Sequence, residues 1–505
     1  MIKKIILLAV TFCYATTYAQ EKEKEEIKPI PEAQSFVTNH QGVFGNTTIN
    51  YTATASETYL KDDDGNPVAS IWSVAYTKNK DKSSNSSNRP VTFVFNGGPG
   101  SASVWLHMGL FGPQLVKVDS EAKEDDGAAP YDLVTNNYGI LDLTDLVFID
   151  PVGTGYSRVI GKGKVEDFWG LMEDANSVAK FMRQWITENK RWNSPKYIAG
   201  ESFGTTRAAA VANVLEDEGQ SMALNGLILI SQALDYAGST SSHYNITSYL
   251  TYLPSMAATA WYHKKAGQSK TLEAFVEEAR NFTYNTYAPA LYKGTLLSTS
   301  EENNLAEKLS YFIGLDKNYI LRSNNRILMH RFQKNLLADQ GLAIGRLDGR
   351  FMGDDADDVS EGPSLGDPSS YQIDAAYTAA LNHYLAETLK VEMDRPYLIS
   401  AGGELYGKWR WRPVPDGQYW EPMPVNTAEM LGETMRRNPD MKVLVASGYY
   451  DLICPFFDTE YTFSRNGIVK ERVTLTYYEA GHMMYVHQPD LVKIAKDIRD
   501  FLTQN

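Results

Sequence analysis

Cysteine is almost missing from this chain: two occur in 505 residues, Cys13 and Cys454. Cys13 lies in a segment patterned like a secretory signal: Lys3 and Lys4, a short apolar run from Ile5 to Cys13, then small residues that permit cleavage after Ala19. The run is too short to cross a bilayer. Lipidation of Cys13 is the competing reading, and Phe12 directly before it fits that signal poorly. With residues 1–19 removed, Cys454 stands alone. A disulfide within the mature monomer is then excluded, and stability must come from the core. Net basic charge is missing too. Lys and Arg number 48 against 62 Asp and Glu, a formal charge of −14, which excludes the basic stripe of a nucleic-acid binder. Past the signal, no run is long and apolar enough for a membrane anchor. The sequence lacks a Walker loop, a His-Glu-x-x-His zinc signature and any internal repeat, so it calls for neither cofactor nor metal. The expectation is an exported protein, periplasmic or secreted.

What the chain does hold is hydrophobic residues, 43% of the total with 12% aromatic, ample for a sizeable core. Residues 20–35 read as a polar leader. Thr47–Tyr59 and Val68–Thr77 flank an Asp-Gly-Asn-Pro turn and predict a hairpin. Short apolar runs at Val91–Phe95, Leu146–Ile149, Tyr197–Ala199, Leu227–Ile230, Val443–Ala446 and Val473–Tyr478 predict buried strands. Helical patterns at Asp167–Asn189 and Thr206–Glu218 lie between them. This alternation implies a mainly parallel sheet with helices on both faces. From about 236 to 390 the chain turns aromatic-rich and helical, as over Leu272–Arg280 and Asp374–Lys390, and reads as an insertion. The expected division is a signal at 1–19, a leader at 20–35, core at 36–235, a cap insertion at 236–390 and core again at 391–505. Three local clusters are read as structural. Asp62–Asp64 is a solvated turn, Gly353–Asp358 a solvated loop, and Lys408-Trp409-Arg410-Trp411-Arg412 a packing and surface feature.

Gly200-Glu201-Ser202-Phe203-Gly204 sits between a predicted strand and a predicted helix. That context suits a nucleophile elbow, where a strained turn presents a serine hydroxyl at the top of the sheet. Serine needs a base. His482, in Gly481-His482-Met483 just after the last predicted strand, is preferred to His487. The base needs a carboxylate to fix its tautomer and stabilise the imidazolium. Asp451, just after Val443–Ala446, is preferred to Asp458. The order Ser202, Asp451, His482 is that of the α/β-hydrolase fold. An oxyanion hole requires two backbone N–H groups, each contributing about 3 kcal/mol to barrier lowering. Phe203 supplies one, and the loop Asn96-Gly97-Gly98-Pro99-Gly100 is placed to supply the other.

Together these motifs, with Ile149-Asp150-Pro151-Val152-Gly153-Thr154-Gly155-Tyr156-Ser157 and Asp451-Leu452-Ile453-Cys454, resemble the serine carboxypeptidase family from residue 96 to residue 483. The resemblance implies an α/β-hydrolase that removes the last residue of peptides with a free C-terminus. It implies Gly98 and Phe203 as oxyanion donors. Asn96, Gly97 and Glu201 would bind the substrate carboxylate, and Cys454 and Met483 would line the leaving-residue pocket. It also implies a protonated Glu201, since two like charges cannot both ionise cheaply there, and hence activity that falls above neutral pH. Two departures stand out. Ser101 replaces a disulfide cysteine, and Leu110 occupies the position of a second glutamate that would bond Glu201. The family includes monomers and homodimers. An esterase or acyltransferase on the same scaffold is the alternative enzyme, and a silent binding protein the non-enzymatic one.

Overall fold

The apolar runs become the middle of one sheet. In the computed structural model, which describes residues 30–79, 88–123, 127–217, 219–411 and 424–504, its strands are β1 (Ser35–Phe44), β2 (Thr47–Lys61), β3 (Pro67–Lys78), β4 (Val91–Phe95), β5 (Asp145–Asp150), β6 (Lys196–Ser202), β7 (Gly226–Gln232), β8 (Lys442–Gly448) and β9 (Val473–Tyr478). They lie in the order β1-β2-β3-β5-β4-β6-β7-β8-β9, and the two-residue strand Arg158–Val159 pairs with β3. β1, β2 and β3 run antiparallel into β5, and from β5 to β9 every pair is parallel. The proposed signal, most of the leader, and Arg412 lie outside the described residues.

The longer helices are α1 (Leu171–Glu188), α2 (Phe203–Glu216), α3 (Ile246–Tyr262), α4 (Leu272–Phe282), α5 (Thr299–Ile313), α6 (Asp374–His383), α7 (Ala428–Arg437) and α8 (Gln488–Thr503). Alternation along the parallel strands splits the core in two. Phe93, Ile198, Leu227, Leu229 and Val443 face α1, α2 and α7. Val94, Tyr197, Ile228, Ile230 and Leu444 face α8, and α6 adds Tyr377 and Leu381 to that side. Both faces are covered, which is why these strands read as unbroken apolar runs rather than alternating ones. A third core holds α3, α4 and α5 together through Tyr249, Phe275, Leu305 and Leu309, and includes Leu452 from the loop after β8.

The sequence reading began its strands at Thr47 and overlooked β1. That strand is at the edge of the sheet, its residues alternate between exposed and half-buried, and Phe44 alone is buried. Thr38, Asn39, His40 and Gln41 give it no hydrophobic period. The helix expected over Asp374–Lys390 ends at His383 and continues as a π-helical turn, Tyr384–Thr388. No helix among the described residues is long and apolar enough to cross a membrane.

Candidate active site

β6 ends at Ser202 and α2 begins at the next residue. Ser202 sits at φ 58°, ψ −130°, a conformation that costs a non-glycine residue on the order of 1–3 kcal/mol and needs its surroundings to enforce it. Those surroundings explain the two glycines of the motif. A Cβ on Gly200 would lie 2.3 Å from Gly204 O, and one on Gly204 would lie 2.9 Å from Phe95 O. Strand, turn and helix are closer here than any side chain allows.

The loops after β8 and β9 meet beside this turn. His482 Nδ1 lies 2.7 Å from Asp451 Oδ2. The other carboxylate oxygen, Oδ1, accepts from the amides of Ile453 (2.8 Å) and Cys454 (2.9 Å). Asp451 is fully buried and His482 nearly so. An ionised carboxylate only accepts, so Nδ1 carries the imidazole proton and Nε2 keeps the lone pair. Burial alone would lower the His482 pKa, but the charge and hydrogen bond of Asp451 outweigh it and the net shift is upward. The backbone of His482 is clamped at both ends. Its amide donates to Leu347 O at 2.6 Å, and its carbonyl accepts from Ser231 Oγ at 2.7 Å. The rival residues lie elsewhere. His487 pairs with Asp490 at 2.8 Å, and Asp458 faces Gln232 with its carboxyl pushed well above the usual range by burial and by Asp235.

The glycine loop after β4 rests directly on the elbow. A Cβ on Gly97 would lie 2.5 Å from the amide nitrogen of Phe203 and 2.7 Å from Glu201 O. Gly98 has φ +105°, open to glycine and not to other L-residues. Asn96 is buried and bonded through three of its polar atoms. Its side-chain amide donates to Glu201 Oε2, its Oδ1 accepts from the Leu106 amide at 3.0 Å, and its carbonyl accepts from Arg207 Nη1 at 2.6 Å. Burial pushes the Glu201 carboxyl up to about 7, against the pull of His482. Leu110 is buried within the π-helical turn His107–Phe111, and among the described residues no carboxylate hydrogen-bonds Glu201.

Cys454 is buried, and its thiol is held well above the ordinary range by that burial and by Asp451. Met483 is buried next to the histidine. Among the described residues, Asp451, Cys454 and His482 form a group whose potential ligand atoms come within 4.8 Å of one another. Two of the three are committed to the acid–base pair, and the thiol favours its protonated, weakly ligating form. Asp355 of the acidic loop bonds Lys334 at 2.6 Å.

Several contributors were not singled out from the sequence. Arg207, fully buried in α2, bonds Asp174 at 2.5 Å and lies 5.2 Å from the ring of Phe203. A lone arginine in an alanine-rich helix one turn past the nucleophile is a usable signal for such a role. Trp409 and Trp411, by contrast, were read from the sequence as packing residues, and they pack edge-on against Phe203, at 5.3 and 5.8 Å between ring centres. Ser231 has no motif at all. It sits at φ 48° where the β6–β7 pairing shifts register, a feature that only the fold exposes.

The family model described as serine carboxypeptidase matches residues 72–488. The chain belongs to the serine carboxypeptidase family. A curated relative, serine carboxypeptidase-like 35 of Arabidopsis thaliana, is 28% identical over 167 residues, 30% of this chain. That match spans 32% of the relative's length. Among solved structures, a prohormone-processing carboxypeptidase of Saccharomyces cerevisiae, Kex1(delta)p, superposes with a TM-score of 0.54 at 15% identity, over 90% of this chain and 91% of that one. The fold is the α/β-hydrolase fold, and the serine carboxypeptidase motifs occupy its strand ends: the elbow follows β6, the aspartate loop β8 and the histidine loop β9.

Proposed function

We propose that this protein is a serine-type carboxypeptidase that removes the C-terminal residue of peptides through an acyl-enzyme. Ser202 Oγ attacks the last peptide carbonyl. His482 Nε2 takes its proton and passes it to the departing amino acid, while Asp451 stabilises the imidazolium. The N–H groups of Gly98 and Phe203 receive the oxyanion. Water then enters by the same route, with His482 as base, and releases the shortened peptide. Cys454 and Met483 line the pocket for the leaving residue and favour apolar side chains. The signal-like first 19 residues support a location outside the cytoplasm for this activity.

The observation that carries the reading is the buried bond between Asn96 and Glu201, one residue from the nucleophile. A carboxyl with its pKa near 7 keeps its proton at mildly acid pH and can donate to a substrate carboxylate, which an ordinary esterase has no need to do. The test compares an N-blocked dipeptide with a free C-terminus, its C-terminal amide and a simple aryl ester, using wild type and Ser202→Ala. Cleavage of the free acid in preference to the amide, lost in the variant, is expected. Turnover of the ester alone would make the protein an esterase.

A further inference from the structure

Glu201 has two carboxyl oxygens, and Asn96 engages only Oε2. Oε1 is buried and has no hydrogen-bond partner among the described residues, and the same is true of the hydroxyl of Tyr485. The two side chains are neighbours. The hydroxyl lies within reach of the Glu201 carboxyl, and each group shifts the protonation of the other, yet the alignment of a good hydrogen bond is missing. Tyr485 stands on the short 3-10 turn Met484–Val486, three residues past His482. Its ring occupies room that Gly109 leaves: a Cβ on Gly109 would lie 2.4 Å from Tyr485 Cε2 and 2.7 Å from the Tyr377 hydroxyl. The other charged or titratable groups acting on Glu201 or Tyr485 include His482, Asp451, the Cys454 thiol and, from α6, Tyr377. An unpaired buried hydroxyl beside an unpaired buried carboxyl oxygen is unfavourable for both. The arrangement makes sense if a third group completes it.

We propose that Tyr485 is a positioning residue of the carboxylate site: with substrate bound, its hydroxyl donates to Glu201 Oε1 and turns the proton on that oxygen toward the terminal carboxylate of the peptide. This rests on the carboxypeptidase reading. Both carboxyl oxygens and the tyrosine hydroxyl are then engaged. Oε2 accepts from Asn96, and Oε1 accepts from Tyr485 while donating to the substrate. Tyr485 acts through Glu201, so its loss weakens recognition of the free acid and leaves the acyl chemistry intact.

The experiment compares wild type with Tyr485→Phe on an N-blocked dipeptide with a free C-terminus and on a small aryl ester that has no carboxylate. In the variant KM for the dipeptide should rise about 3- to 10-fold, the share of one hydrogen bond, with kcat little changed and ester turnover unaffected. The alkaline limb of kcat should move to higher pH, because in the substrate complex a donor that favours ionised Glu201 is gone. Replacing Tyr485 by 3-fluorotyrosine, which keeps the shape and donates more strongly, should move the limb the other way and serves if the phenylalanine variant does not fold. Parallel losses on dipeptide and ester, or an unmoved KM and limb in both variants, overturn the proposal. A wild type that turns over the ester and leaves the dipeptide intact overturns the carboxypeptidase reading itself, and this inference with it.

Discussion

Replacing Glu201 by glutamine should extend the pH range of activity at its alkaline end. In wild type, kcat/KM requires Glu201 protonated and His482 neutral. Burial sets the Glu201 carboxyl at about 7, and the net effect of burial opposed by Asp451 leaves His482 above its ordinary 6.5. The two requirements conflict near neutrality, so the profile is a narrow bell. Above pH 7 the protonated fraction of Glu201 falls about tenfold per pH unit, and by pH 9 the loss is about a hundredfold. A bound substrate carboxylate adds repulsion and raises that pKa further, so the alkaline limb of kcat should lie above that of kcat/KM. In Glu201→Gln the amide keeps the shape, accepts from Asn96 and offers a donor that does not titrate, so the alkaline limb disappears. The acid limb should stay close to its wild-type place, because Glu201 already carries its proton there and His482 must still lose its own. The assay is kcat and kcat/KM on the free-acid dipeptide from about pH 4 to 9.5. A wild-type profile flat to pH 9, or a variant with the wild-type alkaline limb, refutes the reasoning.

Asp451→Asn should lower kcat by about 10⁴ with the fold intact, because the Ile453 and Cys454 amides still hold Oδ1 while the new NH₂ forces the wrong imidazole tautomer. Steady-state rates with unchanged circular dichroism check it. Gly97→Ala places a Cβ 2.5 Å from the Phe203 amide. It should cost about 10²–10³ in kcat by disturbing an oxyanion donor, while labelling of Ser202 by a fluorophosphonate slows in parallel. Asp458→Asn should stabilise the protein increasingly as pH rises. Folded Asp458 holds its proton well above the ordinary range, so its contribution is full below the unfolded pKa near 4. It declines by about 1.4 kcal/mol per pH unit as pH climbs toward the folded value. Urea unfolding at pH 4.5 and 8 tests this, and an identical difference at both pH values contradicts it.

The strands that position the site were readable because they are buried on both faces. Val91–Phe95 and Val473–Tyr478 have the same bounds in sequence and structure, and the other central strands grow by one to three residues at each end. The edge strand β1 was not readable, since solvent on one side and weak packing on the other leave no period. The elbow could be read from Gly200 and Gly204 because close backbone approach excludes side chains there. Asp451 and His482 follow strand ends and so were legible in order, though only the coordinates show that they touch. Arg207, Ser231 and Tyr485 were not singled out, because their importance comes from partners 111 to 284 positions away: Asn96, His482 and Glu201.

The two clamps on the His482 backbone tie the proposed base to two separate parts of the chain. Ser231 belongs to the central sheet, whereas Leu347 belongs to the long stretch between β7 and β8. A nascent molecule with a formed sheet and an undocked stretch has its histidine loop fastened on one side only. On the proposed mechanism, such a copy lacks one of the two holds on its base, so cutting is expected only once both parts have packed against the histidine loop.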